Sequence, residues 1–161
     1  MPLSDPNALS LLYNRPGFLL RRAHQISISV FEKECQKIKL TPAQYGILTV
    51  LHTLPGIDQA GLARKLGLDK VTILRLLRDM ESRNLIARSA HPIDKRSHSL
   101  TLSRDGQILL KDSHKHVNSA YKKLTSPLSS AELRTLLNLL KKFNSSLDSD
   151  ARTIFKPDEI I

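Results

Sequence analysis

Four side chains between positions 70 and 78 carry the most pointed chemistry in this 161-residue chain: Lys70, Thr72, Arg75 and Arg78. Turned at about 100° per residue, the segment places Ile73, Leu76, Leu77 and Met80 on one face and Val71, Leu74, Arg75, Arg78 and Ser82 on the other. Arg75 and Arg78 then point outward as neighbours, with Leu74 expected to be exposed beside them. A planar guanidinium matches the two acceptors of a guanine edge in the major groove of DNA, and apolar atoms such as those of Val71 and Leu74 meet thymine methyls. Lys70 and Thr72 fall at the positive end of the same helix, where they suit phosphates or base edges. A merely solvated charged face is the plainer reading of these residues. The elements on either side decide against it.

A second cluster, Asp94-Lys95-Arg96, falls at the tip of a polar connection. Arg96 there suits a minor groove, whose narrow walls concentrate negative potential. Asp94 is a poor ligand for DNA. Its expected part is to orient Arg96, or an arginine of the preceding helix, through a charge-assisted hydrogen bond.

Catalytic chemistry finds no comparable footing. The chain has no glycine-rich phosphate loop, no carboxylate pair placed for acid-base work, and no Ser-His-Asp or Cys-His set with a supporting motif. His114 and His116 are two apart on a helix, so they diverge by about 200° and do not share an ion unaided. No catalytic residue, metal or cofactor is expected. Cys35, the one cysteine, excludes an internal disulfide. A buried thiol is the favoured reading of it, ahead of a redox sensor.

The positioning elements announce themselves by their caps. Arg15 to Lys39 reads as a long helix entered at Pro16, with Leu19, Ala23, Ile26 and Val30 at helical spacing and Leu20, His24, Ser27 and Phe31 widening the stripe. Thr41-Pro42-Ala43-Gln44 forms a capping box, and its helix runs to about Leu54. Pro55-Gly56 breaks the chain. Asp58 caps a short helix, Gln59 to Leu66, closed by Gly67, and Asp69 at once caps the next, Lys70 to about Asn84. So short a turn makes a helix-turn-helix corner.

From Leu85 the periodicity changes to strand alternation, first over Leu85 to Arg88 and then over Ser97 to Leu102, with the basic connection between them: a wing. Ser103 then caps a long charged helix that Pro127 stops. Ser129-Ser130-Ala131-Glu132 opens a last helix with a leucine seam, Leu133, Leu136, Leu137, Leu140, Phe143 and Leu147. Helices at both ends of the chain are expected to pack together and against a second copy. Lys156 to Ile161 reads as a loose tail.

Bulk composition agrees. Lys and Arg number 25 against 15 Asp and Glu, a formal charge of +10 that favours a polyanion, either nucleic acid or an anionic membrane surface. No apolar run approaches the roughly 20 residues of a membrane span, and the first residues do not read as a secretory signal. The expected compartment is the cytoplasm, with no membrane partner. A nonspecific architectural DNA-binding protein is the competing class.

Together these residues resemble the MarR family of bacterial regulators over about Pro16 to Leu147. The carrying segments are Leu62-Ala63-Arg64-Lys65-Leu66-Gly67-Leu68, Val71-Thr72-Ile73-Leu74-Arg75 and Met80-Glu81-Ser82-Arg83-Asn84-Leu85-Ile86-Ala87-Arg88. The Asp94-Lys95-Arg96 wing signature and Leu100-Thr101-Leu102-Ser103-Arg104-Asp105-Gly106 complete the match. The resemblance implies a mainly α fold with a small β-wing. Residues 41–102 would form a winged helix-turn-helix, 1–40 and 103–150 a helical dimerisation region, and 151–161 a C-terminal tail. It also implies a homodimer on a pseudopalindromic double-stranded operator, usually as a repressor, with Arg75 the first candidate for base reading, Thr72 the second and Arg96 the wing finger. Asn84 stands where the family commonly has Gly, and Asn also tolerates the left-handed conformation.

Family members often bind phenolic or aromatic acids between the dimerisation helices and the winged module and then lose DNA affinity. The stretch from Leu12 to Ile26 resembles the opening of members that control aromatic-acid catabolism. In this chain Arg15, Arg21 or Arg22 would pair with a carboxylate or a coenzyme A phosphate. Phe18 and Tyr45 would cover a ring, His24 would donate to a phenolic oxygen, and Tyr13 is a further candidate for the same site.

Overall fold

A computed structural model describes residues 7–90 and 98–158. Seven α-helices and two strands follow one another among them: α1 Ala8–Tyr13, α2 Pro16–Glu34, α3 Pro42–Thr53, α4 Gln59–Leu66, α5 Lys70–Ser82, β1 Ile86–Ala90, β2 His98–Leu102, α6 Arg104–Thr125 and α7 Ser130–Leu147. The helix starts lie where the caps predict them. Thr41 and Gln44 exchange both bonds of a capping box, Asp58 accepts from the Gly61 N–H, Ser103 from the Gly106 N–H, and Ser129 and Glu132 form the second box. Gly67 closes α4 in the left-handed conformation at φ 62°, which no β-branched residue would tolerate. Asn84 holds the equivalent place after α5 at φ 55°.

The expected boundaries of α5 and of the first strand shift by one or two residues, to Ser82 and to Ile86–Ala90, and larger departures lie nearer the start of the chain. α2 stops at Glu34, not Lys39, because a 3-10 turn at Gln36–Ile38 and a left-handed Lys39 swing buried Leu40 into the core. The opening piece contains α1, which has no side-chain cap and no buried residue, so neither a capping nor a periodicity signal marks it.

The core fills the space between α2, α3, α4, α5, α6 and the wing. Ile47, Leu48, Leu62, Ile73, Leu77, Met80 and Leu100 are fully buried there, aliphatic apart from one methionine as the scarcity of aromatics requires. Strands β1 and β2 pair antiparallel from Ile86 opposite Leu102 to Ala90 opposite His98. The segment after α3 extends this ribbon: Gly56 donates to the Leu100 carbonyl and Leu100 donates to the Ile57 carbonyl. The wing is thereby stitched to the helical module. Asp94, Lys95 and Arg96 lie outside the described residues.

The terminal helices are different in kind. The α2 stripe buries Phe31 and half-buries Val30, yet Leu19, Leu20 and Ile26 stay exposed, and α7 has no buried residue although Leu136, Leu137, Leu139, Phe143 and Leu147 stud it. Among the described residues no helix is long and apolar enough to cross a membrane.

Candidate nucleic-acid interface and effector crevice

Helix α5 owes its start to Asp69. The carboxylate accepts from the Val71 N–H at 2.9 Å and the Thr72 N–H at 2.8 Å, and the Thr72 hydroxyl donates to its other oxygen at 2.7 Å. These bonds, that from the Thr72 hydroxyl foremost, hold the Asp69 carboxyl below its ordinary range. They also fix the Thr72 side chain at the first turn.

Lys70, Val71, Arg75 and Arg78 are exposed on α5, while Ile73, Leu77 and Met80 are buried beneath them. Leu74 departs from expectation: it is only half-exposed, and Val71, at 77% exposure, is the apolar side chain that projects. The reason is angular. Leu74 sits about 80° round the helix from the line through Val71, Arg75 and Ser82, close enough to the core side to be partly covered.

Behind this face lies a crevice of about 820 Å³, within the range of small-molecule sites. Its walls are His24, Ile28 and Glu32 of α2, Thr41 to Gln44 and Gly46 at the start of α3, Leu66 and Leu68 of the turn, and Thr72, Arg75, Leu76 and Asp79 of α5. Across one wall, buried Gln44 donates from Nε2 to Asp79 Oδ2 at 2.8 Å.

The seven residues expected to hold a ligand do not converge. His24 alone of them lines the crevice. Arg15, Phe18 and Arg21 line a separate, shallower recess. There the Arg21 guanidinium stands 5.0 Å over the Phe18 ring, and Tyr13 packs on Phe18 with centroids 5.2 Å apart. Tyr45 faces the other way, 6.1 Å from Phe31, and Phe31 in turn packs on Tyr121. Arg22 is exposed and lines neither hollow. The seven are spread over α1, the turn after it, α2 and α3, and the four on α2, Phe18, Arg21, Arg22 and His24, fall on several faces of that helix, so they share no focus.

Sequence reasoning missed Glu32, Gln44 and Asp79 as crevice walls. Gln44 was legible as a cap residue only. It missed Arg88 as well, which bonds Glu81 and, at 3.2 Å, Gln59, bracing the base of the wing against α4 and α5. Cys35 is buried, and burial pushes its thiol up, away from the thiolate that oxidation requires. His116 Nδ1 lies 3.1 Å from the Glu34 carbonyl, and His114 is exposed.

The model of the MarR family matches residues 40–98. A putative transcriptional regulatory protein for the hcr operon of Thauera aromatica is 31% identical over 127 residues, covering 78% of this chain and 76% of that one. The homoprotocatechuate degradative operon repressor of Escherichia coli is 24% identical, over 77% of this chain and 84% of its own. Among solved structures, the transcriptional repressor CouR bound to a 23-mer DNA duplex is 30% identical with a TM-score of 0.78, over 84% of this chain and 96% of that chain.

Proposed function

This chain belongs to the MarR family of transcriptional regulators and is not an enzyme, and on that premise we propose that it is a homodimeric repressor released from its operator by a small aromatic acid or its coenzyme A thioester. Residues 41–102 read DNA in this account, and 1–40 with 103–150 join two copies through the exposed leucine faces of α1, α2 and α7.

The observation that carries the proposal is that one helix serves both surfaces. Thr72 and Arg75 line the crevice, and Arg75 stands beside Val71 and Arg78 on the outward face of α5. A ligand that favours a different placement of these side chains biases DNA affinity by the difference in its own affinity for the two arrangements. His24 and Arg75 are the crevice groups that donate to a phenolic or carboxylate oxygen, and Ile28, Leu66, Leu68 and Leu76 supply the apolar wall for a ring. Arg15, Phe18 and Arg21 form a second candidate subsite, for the phosphates of a thioester. Names of relatives such as the homoprotocatechuate operon repressor support the aromatic class.

Fluorescence anisotropy of a labelled duplex, titrated with benzoates, hydroxycinnamates and their coenzyme A thioesters, tests it. The expected result is release by at least one compound at micromolar to millimolar concentration, abolished in His24→Ala. Failure of every compound overturns the effector assignment and leaves DNA reading standing.

A further inference from the structure

The last described residues return to the helix-turn-helix. After α7 comes a 3-10 turn at Asp148–Asp150, and the chain beyond it reaches α4. There the Lys156 N–H donates to the Arg64 carbonyl at 2.9 Å, and Lys65 Nζ donates to the Pro157 carbonyl at 2.9 Å. Phe155 lies against Gly67: a Cβ on that glycine would sit 3.5 Å from both Cβ and Cδ2 of Phe155.

Each contact meets a need of α4. Arg64 is in its last turn, where carbonyls lack helical donors, and the Leu68 amide donates to Ala63. Lys156 thus supplies a donor from 92 residues farther along the chain. Gly67 is the left-handed pivot between α4 and α5. Its neighbours Leu66 and Leu68 line the crevice, so the turn has Phe155 on one side and the hollow on the other.

We infer that Phe155 and the Lys156 amide form a positioning hook, which fixes the α4–α5 turn and through it the DNA-reading helix relative to the end of α7. Reading base edges requires a helix held in register, whereas nonspecific attraction to phosphates requires only its charge. Unhooking therefore costs discrimination and leaves general DNA affinity. The inference rests on α5 as the reading helix and is independent of any effector.

The test uses the full chain and three variants. Phe155→Ala removes the ring, Lys156→Pro removes the N–H donor, and Phe155→Leu keeps apolar cover. The probes are a duplex selected from a random-core library by the wild type and a scrambled duplex of equal length. Phe155→Ala and Lys156→Pro are expected to lose about five- to tenfold in affinity for the selected duplex, with the scrambled duplex changed by less than about twofold. Exchange of the Leu68 amide should quicken, sedimentation should be unchanged, and Phe155→Leu should resemble the wild type. Unchanged affinity for the selected duplex overturns the inference, whether or not exchange quickens. Equal loss on both duplexes, or loss accompanied by a changed sedimentation coefficient, overturns it too, because the tail would then serve folding or assembly in general.

Discussion

Gln44 Nε2 donates to Asp79 Oδ2 at 2.8 Å, joining the first turn of α3 to the third turn of α5. The same side chain accepts from the Thr41 N–H at 3.1 Å. One buried amide therefore closes a capping box, pins α5 and forms part of the crevice wall. Gln44→Ala is expected to lower stability by about 1–2 kcal/mol, from the lost cap and the lost cross-helix bond. Urea denaturation measures it, and Gln44→Glu separates the two parts: it keeps the cap but sets a carboxylate against Asp79, so its deficit should shrink in acid.

Asp69 gives a pH dependence of defined sign. Its folded pKa lies below the ordinary carboxylate value, held there first by the Thr72 hydroxyl. The stabilisation is complete above the unfolded pKa, about 3.9, and is lost as pH falls through the lower folded value. Asp69→Asn, which remains a cap but does not titrate, should show a flatter loss of stability below about pH 4 than the wild type. Melting temperature against pH, measured for both, checks the difference.

Gly106 lies under the wing, and a Cβ there would meet the Leu85 carbonyl oxygen at 2.0 Å. The obstacle is backbone, so no rotamer relieves it. Gly106→Ala should cost on the order of 3 kcal/mol or more, or prevent folding, with thermal denaturation as the readout.

The bare apolar face of α7 predicts assembly. Leu137→Asp with Phe143→Asp is expected to convert a dimer into a monomer by sedimentation and to weaken binding to a two-half-site duplex far more than to a single half-site. An unchanged sedimentation coefficient would remove the case for dimerisation through this helix.

What the sequence revealed was local. Thr41 with Gln44, Asp58, Asp69, Ser103, and Ser129 with Glu132 each act within three residues, so spacing alone places five helix starts. Asn84 was readable for the same reason, since its left-handed backbone is its own property. The contacts that escaped notice are long-range: Gln44 to Asp79 spans 35 positions and Lys65 to Pro157 spans 92. No local pattern encodes which helix face meets which. That also explains why Tyr45 packs on Phe31 and not into the crevice, and why the tail, expected loose, is held to α4.

Lys70 and Arg75 should separate phosphate binding from base reading. Lys70→Ala is expected to weaken all duplexes alike and to reduce the salt slope by about one, while Arg75→Ala should cost about 1–3 kcal/mol on the preferred site alone.

The central claim, that α5 reads DNA sequence in a two-fold arrangement, is tested most directly by selecting duplexes from a random-core library with the wild type and with Arg75→Ala. The expected result is a pseudopalindromic consensus with half-sites about 10 base pairs apart for the wild type, and loss of preference at one symmetric pair of positions for the variant. Enrichment of no sequence, or the same consensus from both proteins, would contradict it.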